Sequence, residues 1–269
     1  MVGNAGFTAR VRHAEPVMGT VVSFDVPVTA RHDGSLDDAV RWLHWVDRVF
    51  SPFRPESDVS QLADGAVTVD GCAPEMAEVI EACAFVRELS GGYFTASPWG
   101  RFDPSGYVKG WAVERAAHIL SAAGSASHLV NGGGDVQCVG GRPGAVTGPG
   151  AGQEAVPPWR VGIADPLRRG RLALVVEARD CGVATSGTAE RGAHIVNPRT
   201  GDAAAGLASV TMVGPHLALA DACATAAFAM GPALARDWTE SLDGYEAYAM
   251  TTAGDTWQTS GFAARIARD

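Results

Sequence analysis

Asp221 is the only charged residue in the run LALADACATAAFAMG, and Thr225 follows it four positions later. On a helix, residues i and i+4 lie on one face a turn apart, so this carboxylate and hydroxyl point the same way. Together they form a hard-oxygen corner of the kind Mg²⁺ accepts, the remaining ligands being water, carbonyls and phosphates. The plainer alternative is an Asp near a helix start favouring the macrodipole and a Thr bonding back to the backbone. The surrounding Ala, Leu, Cys, Met and Phe weigh against it, because they imply burial, and an unpaired carboxylate buried there costs several kcal/mol.

Three further stretches carry groups that do chemistry. In VATSGTAERGAHIVNPRTG (Val183–Gly201) a strand delivers Thr185, Ser186 and Gly187, followed by Glu190, Arg191, His194 and a turn. An imidazole there accepts a proton near neutrality, although a lone histidine is more often structural. In RFDPSGYVKGWAVERAA (Arg101–Ala117), Asp103 or Ser105 caps a helix that bears Lys109 in its first turn. Alternatively that helix start aims its free amides at a phosphate or ribityl group. In HLVNGGGDVQCVG (His128–Gly140) a strand ends in three glycines and Asp135, which reads as a bulge, a hairpin or a wall along which a ligand approaches. GPGAG at Gly148–Gly152 is no dinucleotide fingerprint, because Pro157 and Pro158 follow where a helix should start. The sequence has no G-x-x-x-x-G-K-[ST], H-E-x-x-H or G-x-S-x-G pattern.

These groups need elements to position them. VMGTVVSFDVPV (Val17–Val28) alternates and reads as a strand. A helix opens at Ser35 as N-cap and runs to Phe50, a second runs from Pro74 to Leu89, and a third from near Val108 to Gly124. Later segments (HLV, WRVGIA, RLALVVEA, ASVTMV, YEAYAMT) are short strands, with a helix over 217–231 between them. Helices first and strands later imply an α+β architecture, with helices packed on mixed or antiparallel sheets in two closely associated lobes. The length of 269 residues suits one domain over 1–269, and Gly140–Pro158 has the glycine and proline density of a mobile loop.

The totals set outer bounds. A net charge of −9 argues against nucleic-acid or anionic-membrane binding. Five cysteines without a C-x-x-C pair imply free buried thiols in a reducing compartment. The N-terminal stretch lacks an apolar run of signal-peptide length and no segment reaches membrane-spanning length without a charge, so a cytoplasmic protein is expected.

The motifs MGT (Met18–Thr20), SPFRPESDVSQL (Ser51–Leu62), DPSGYVKGWAVE (Asp103–Glu114), LVNGGGDV (Leu129–Val136), ATSG…HIVNPRTG (Ala184–Gly201) and SVTMV…ADACAT (Ser209–Thr225) occur in the order found in one family. In that order they resemble the ApbE family, the FAD:protein FMN transferases. The resemblance implies an enzyme that binds FAD with Mg²⁺, moves its FMN half onto a threonine (or serine) hydroxyl of an acceptor protein through a phosphoester bond, and releases AMP. It implies that Met18 and Phe53 line the flavin dinucleotide pocket, with Tyr93, Phe94 and Thr95 of GYFT, Asp103, Lys109 and Ile195 completing it. The Mg²⁺ ligands implied are the Gly106 carbonyl, the Asp221 carboxylate and the Thr225 hydroxyl, and His194 matches the base that deprotonates the acceptor. Ala224 stands where some members carry a second acidic ligand, Thr95 where Asp is usual, and the span from Thr95 to Asp103 is short. Two other activities suit the same residues: an FAD pyrophosphatase giving FMN and AMP, and a non-catalytic FAD-binding protein.

Overall fold

The computed structural model describes residues 9–142, 156–188 and 195–268. In chain order the elements are β1 (Arg10–Val17), β2 (Thr20–Pro27), α1 (Thr29–His32), α2 (Ser35–Phe50), α3 (Asp58–Ala63), α4 (Glu75–Leu89) and α5 (Ser105–Ala122). Then come β3 (His128–Gly132), β4 (Asp135–Val139), β5 (Trp159–Ala164), β6 (Leu172–Ala178), β7 (Cys181–Gly187) and β8 (Leu207–Gly214). The chain ends with α6 (Leu217–Met230), α7 (Pro232–Glu240), β9 (Glu246–Thr251) and β10 (Thr256–Gln258). Eight strands form one sheet in the order β1-β2-β3-β4-β7-β8-β9-β10, with antiparallel neighbours throughout, and β5 and β6 form a separate hairpin. This is the α+β architecture expected from the sequence, in its antiparallel form. Most of the glycine-rich stretch over 140–158 lies outside the described residues.

Alternation along the central strands sorts their side chains between two cores. Ala184, Val210, Met212, Ala247 and Ala249 join a large core with the helices, whereas Val183, Val213 and Tyr248 face the other way, into a smaller core under β5 and β6. Covered on both faces, β8 is buried at every position, which is why LASVTMVG is almost uniformly apolar. No helix among the described residues is long and apolar enough to cross a membrane.

Two expectations are corrected. Val17–Val28 is not one strand: Met18 and Gly19 take left-handed φ values of 55° and 68° and make the two-residue turn between β1 and β2, whose twist suits a tight hairpin. Ser35 is not the cap of α2. Gly34 holds the N-cap position, and the Asp33 carboxylate accepts the Ser35 amide at 2.9 Å. The helix expected near Val108 starts three residues earlier, at Ser105.

Candidate functional site

The site lies where α5 and α6 cross beside one end of the sheet. Two glycines make that approach possible. A Cβ on Gly110 would lie 2.8 Å from both the Asp221 Cβ and the Leu217 carbonyl oxygen, and one on Gly182 would lie 2.6 Å from the Leu217 Cα. The start of α6 is therefore clamped between α5 and β7 at a separation that larger residues would forbid. Glu114 of α5 secures it further: its Oε2 accepts the Ala218 amide at 2.9 Å, meeting one of the helix-start donors, and its Oε1 is 3.1 Å from His216 Nδ1.

Held this way, Asp221 and Thr225 reach outward to neighbouring elements. Asp221 is 2% exposed. Its Oδ2 accepts the Gly110 amide at 3.0 Å, and its Oδ1 lies 3.7 Å from Lys109 Nζ. The Gly110 amide is the one that would ordinarily close on the Gly106 carbonyl one turn back. Thr225 Oγ1 is 3.1 Å from Ser186 Oγ of β7, and the Thr225 methyl lies 3.8 Å from where a Cβ on Gly106 would stand. Gly106, Lys109, Asp221 and Thr225, four positions singled out from the sequence, thus converge. Neither the Asp221 nor the Thr225 side chain serves only its own helix.

A carboxyl-bearing strand, β4, completes the cluster. Asp135 opens β4 immediately after the Gly133–Gly134 turn and is fully buried. Its Oδ1 accepts the Thr185 amide at 3.0 Å, and its Oδ2 makes a close ion pair with Lys109 Nζ. One ammonium therefore stands between two buried carboxylates. Thr185 Oγ1 is in turn 2.8 Å from Thr211 Oγ1, on the opposite side of the sheet from Ser186. Ser186 and Asp135 were named from the sequence only within their stretches, without an assigned role, and Gly110 was not noted. The signal for Gly110 is a glycine inside a helix, which is costly unless something packs against it.

The other expected positions are spread around this cluster. Asp103 accepts the Ser105 amide at 2.9 Å, but Pro104 holds the N-cap position of α5, so neither Asp103 nor Ser105 is its cap. Phe94 is 1% exposed, with its ring edge 3.3 Å from where a Cβ on Gly106 would stand, so it packs behind that glycine. Tyr93 carries the Arg199 guanidinium 4.6 Å above its ring, and Arg199 Nη2 donates to the Gly91 carbonyl at 2.7 Å. Thr95 lines an adjacent groove of about 470 Å³ with Arg87, Gly92, Trp99, Val196 and Arg199. Ile195 is buried, and its carbonyl accepts the Ala204 amide at 2.8 Å. Met18 is half-buried in its turn, next to a shallow depression of about 540 Å³ lined by Gly19, Thr20, Asn131 and Gly133. Phe53 is 90% exposed and touches little of the described protein. His194, with Glu190 and Arg191, lies outside the described residues. Among the described residues, no group of three or more His, Cys, Asp or Glu side chains is arranged to hold a metal.

The fold belongs to a known class. The structure superposes on the flavin transferase ApbE from Vibrio cholerae with a TM-score of 0.80, at 20% identity, over 96% of this chain and 99% of that one. It superposes on the ApbE protein from Thermotoga maritima with a TM-score of 0.84, at 21% identity, over 97% and 100%. The sequence model of the ApbE family matches residues 18–99 and 95–249, and the chain belongs to that family. It is 28% identical to the FAD:protein FMN transferase of Rhodobacter capsulatus over 83% of this chain and 40% of that protein. It is 37% identical to the enzyme of the same name from Treponema pallidum over 49% of this chain and 38% of that protein. The alignments thus span about two fifths of the length of these curated relatives.

Proposed function

We propose that the chain is a Mg²⁺-dependent FAD:protein FMN transferase that moves FMN onto a threonine hydroxyl of an acceptor protein and releases AMP. The observation that carries this reading is the Asp221–Thr225 corner, tied outward to α5 and β7 in a chain of the ApbE family. The Gly106 carbonyl, the Asp221 carboxylate and the Thr225 hydroxyl would hold the metal. The donor set fits it: every donor is a hard oxygen, and a carbonyl keeps a second lone pair whatever its helical bond. When bound, Mg²⁺ neutralises pyrophosphate charge and makes AMP a tolerable leaving group.

The chain's own residues do the rest. The acceptor oxygen attacks the FMN phosphorus, a new P–O bond forms, and the bond from that phosphorus to the bridging oxygen breaks. AMP departs with that oxygen and its electron pair. The hydroxyl proton passes to His194, a general base whose contribution is of order 10²–10⁴-fold. Lys109 offers its ammonium to phosphate oxygens from the first turns of α5. Met18, Phe53, Tyr93, Phe94, Thr95, Asp103 and Ile195 are the proposed FAD contacts, Phe94 by its backbone because its ring is buried. All five cysteines are unpaired, which suits a reducing compartment and hence a cytoplasmic acceptor.

The test is incubation of the protein with FAD, MgCl₂ and threonine-bearing candidate acceptors, followed by a denaturing gel and mass spectrometry of AMP. A covalently fluorescent acceptor band is expected, with AMP formed in equal amount, both lost with chelator and both reduced in His194→Ala and Asp221→Ala. AMP formed equally well without any acceptor would replace this reading with FAD hydrolysis. Bound FAD with no AMP formed would replace it with a binding protein.

A further inference from the structure

We infer that Asp135 is a positioning residue that keeps Lys109 off Asp221, so that one site can hold an ammonium and a divalent cation side by side. The inference rests on the metal reading above and deepens it. Among the described residues, Lys109 Nζ reaches two carboxylates unequally: it pairs closely with Asp135 Oδ2 and stays 3.7 Å from Asp221 Oδ1. Asp135 is suited to dominate. It is fully buried, and its other oxygen is fixed by the Thr185 amide of β7, so its position is set by the sheet and not by a flexible stem.

The charges explain why this matters. Asp135, Asp221 and Lys109 together carry a net −1. A dication on Asp221 and an ammonium on the same carboxylate would repel one another a few ångströms apart in a poorly screened setting. A second carboxylate that holds the ammonium lessens that competition at Asp221. The ammonium stays at the rim, where it reaches a phosphate. Among the described residues, Asp221 is the other carboxylate beside Lys109, so without Asp135 the lysine becomes an internal competitor for the metal.

This makes metal affinity, measured without turnover, the readout. Mn²⁺ is titrated into the protein and free Mn²⁺ is followed by its solution EPR signal. Asp135→Asn keeps the shape and an acceptor for the Thr185 amide, and is expected to weaken Mn²⁺ binding roughly tenfold, the scale of one nearby charge in partly screened surroundings. Lys109→Met is expected to tighten binding several-fold. The double variant Asp135→Asn/Lys109→Met is expected to return to wild-type affinity or better, a rescue that general damage at Asp135 would not allow. Asp221→Ala separates the two readings. If Asp221→Ala binds Mn²⁺ as well as wild type, the metal reading itself fails. If Asp221→Ala abolishes binding while Asp135→Asn matches wild type, or while the double variant stays as weak as Asp135→Asn, only the role of Asp135 is overturned. Should Asp135→Asn not fold, Lys109→Met decides alone, and unchanged or weaker binding overturns the inference.

Discussion

The two faces of the central sheet are built from the same strands and do different things. On the helical face, Asp135 and Ser186 reach Lys109 and Thr225. On the hairpin face, Val136, Val183 and Val213 pack with Cys138, Cys181 and Phe262 into an almost wholly apolar core, where burial pushes the Cys138 thiol far up. One residue of register separates them, so a buried polar group on the helical face costs packing that the other face keeps. The difference shows that the polar cluster is not tolerated for want of alternatives. Its members are met by the Gly110 amide and Lys109 ammonium of α5, the Thr225 hydroxyl of α6 and the Thr185 amide of β7.

The largest predicted contrast is between Asp221→Asn and Val183→Ala. On the proposed metal reading, Asp221→Asn should lower FMN transfer by roughly a hundredfold or more, because the cation that would offset pyrophosphate charge loses its carboxylate ligand, with a smaller effect on unfolding. Val183→Ala, next to Ala184 but facing the hairpin, should cost about 2 kcal/mol of stability through a lost transfer term and a small cavity, and leave turnover per folded molecule unchanged. Parallel assays of transfer and urea unfolding check both. A large turnover loss in Val183→Ala would dissolve the division between faces.

Next in size is a pH effect from the helical face. His128 opens β3, fully buried, with Nε2 2.9 Å from the Ala117 carbonyl of α5. Burial outweighs that bond and pushes its pKa down to about 4 from 6.5. The unfolded chain therefore binds the proton more readily than the folded one. The stability contribution is present in full above pH 6.5 and is lost as pH falls from there toward 4, about 3 kcal/mol in all. Urea midpoints from pH 7.5 to 4.5 should fall accordingly, and His128→Asn should flatten the lower part of the curve. Gly110→Ala follows: the new methyl would meet the Asp221 Cβ and the Leu217 carbonyl at 2.8 Å, so α5 and α6 must part. Overpacking of this kind costs about 1–3 kcal/mol, and here transfer should fall together with stability.

What was legible beforehand follows the same division. The Asp221–Thr225 pairing depends only on helical spacing, and α6 occupies the expected residues. The strands Trp159–Ala164 and Leu207–Gly214 announce themselves by apolar runs between turn residues. The Met18–Gly19 turn was hidden, since Met rarely takes a left-handed φ and the flanking residues alternate as one strand would. Asp135 was visible only as a polar residue after glycines, because its partners come from β7 and α5, 50 and 26 positions away. The helix α7 was not foreseen; its Pro232 start follows directly on the Gly231 that ends α6, which reads as loop punctuation in one dimension.

The smallest effect expected is also the most discriminating test of the polar face. Ser186 is buried, and its hydroxyl is 3.1 Å from that of Thr225. One of the two hydroxyls donates to the other, and with either donor Ser186 sets the direction in which a lone pair of Thr225 is presented. Removing it leaves the Thr225 oxygen in place and frees its rotation. Ser186→Ala should therefore cost only about 1 kcal/mol of stability. Its signature should be a several-fold higher Mg²⁺ requirement for transfer, with the rate at saturating Mg²⁺ close to wild type. The equivalent change one residue earlier, Thr185→Val, removes a hydroxyl that bonds Thr211 on the other face. It should leave the Mg²⁺ requirement alone. If the two variants shift that requirement equally, adjacent residues on opposite faces are not divided in function, and the Thr225 hydroxyl is not oriented by Ser186.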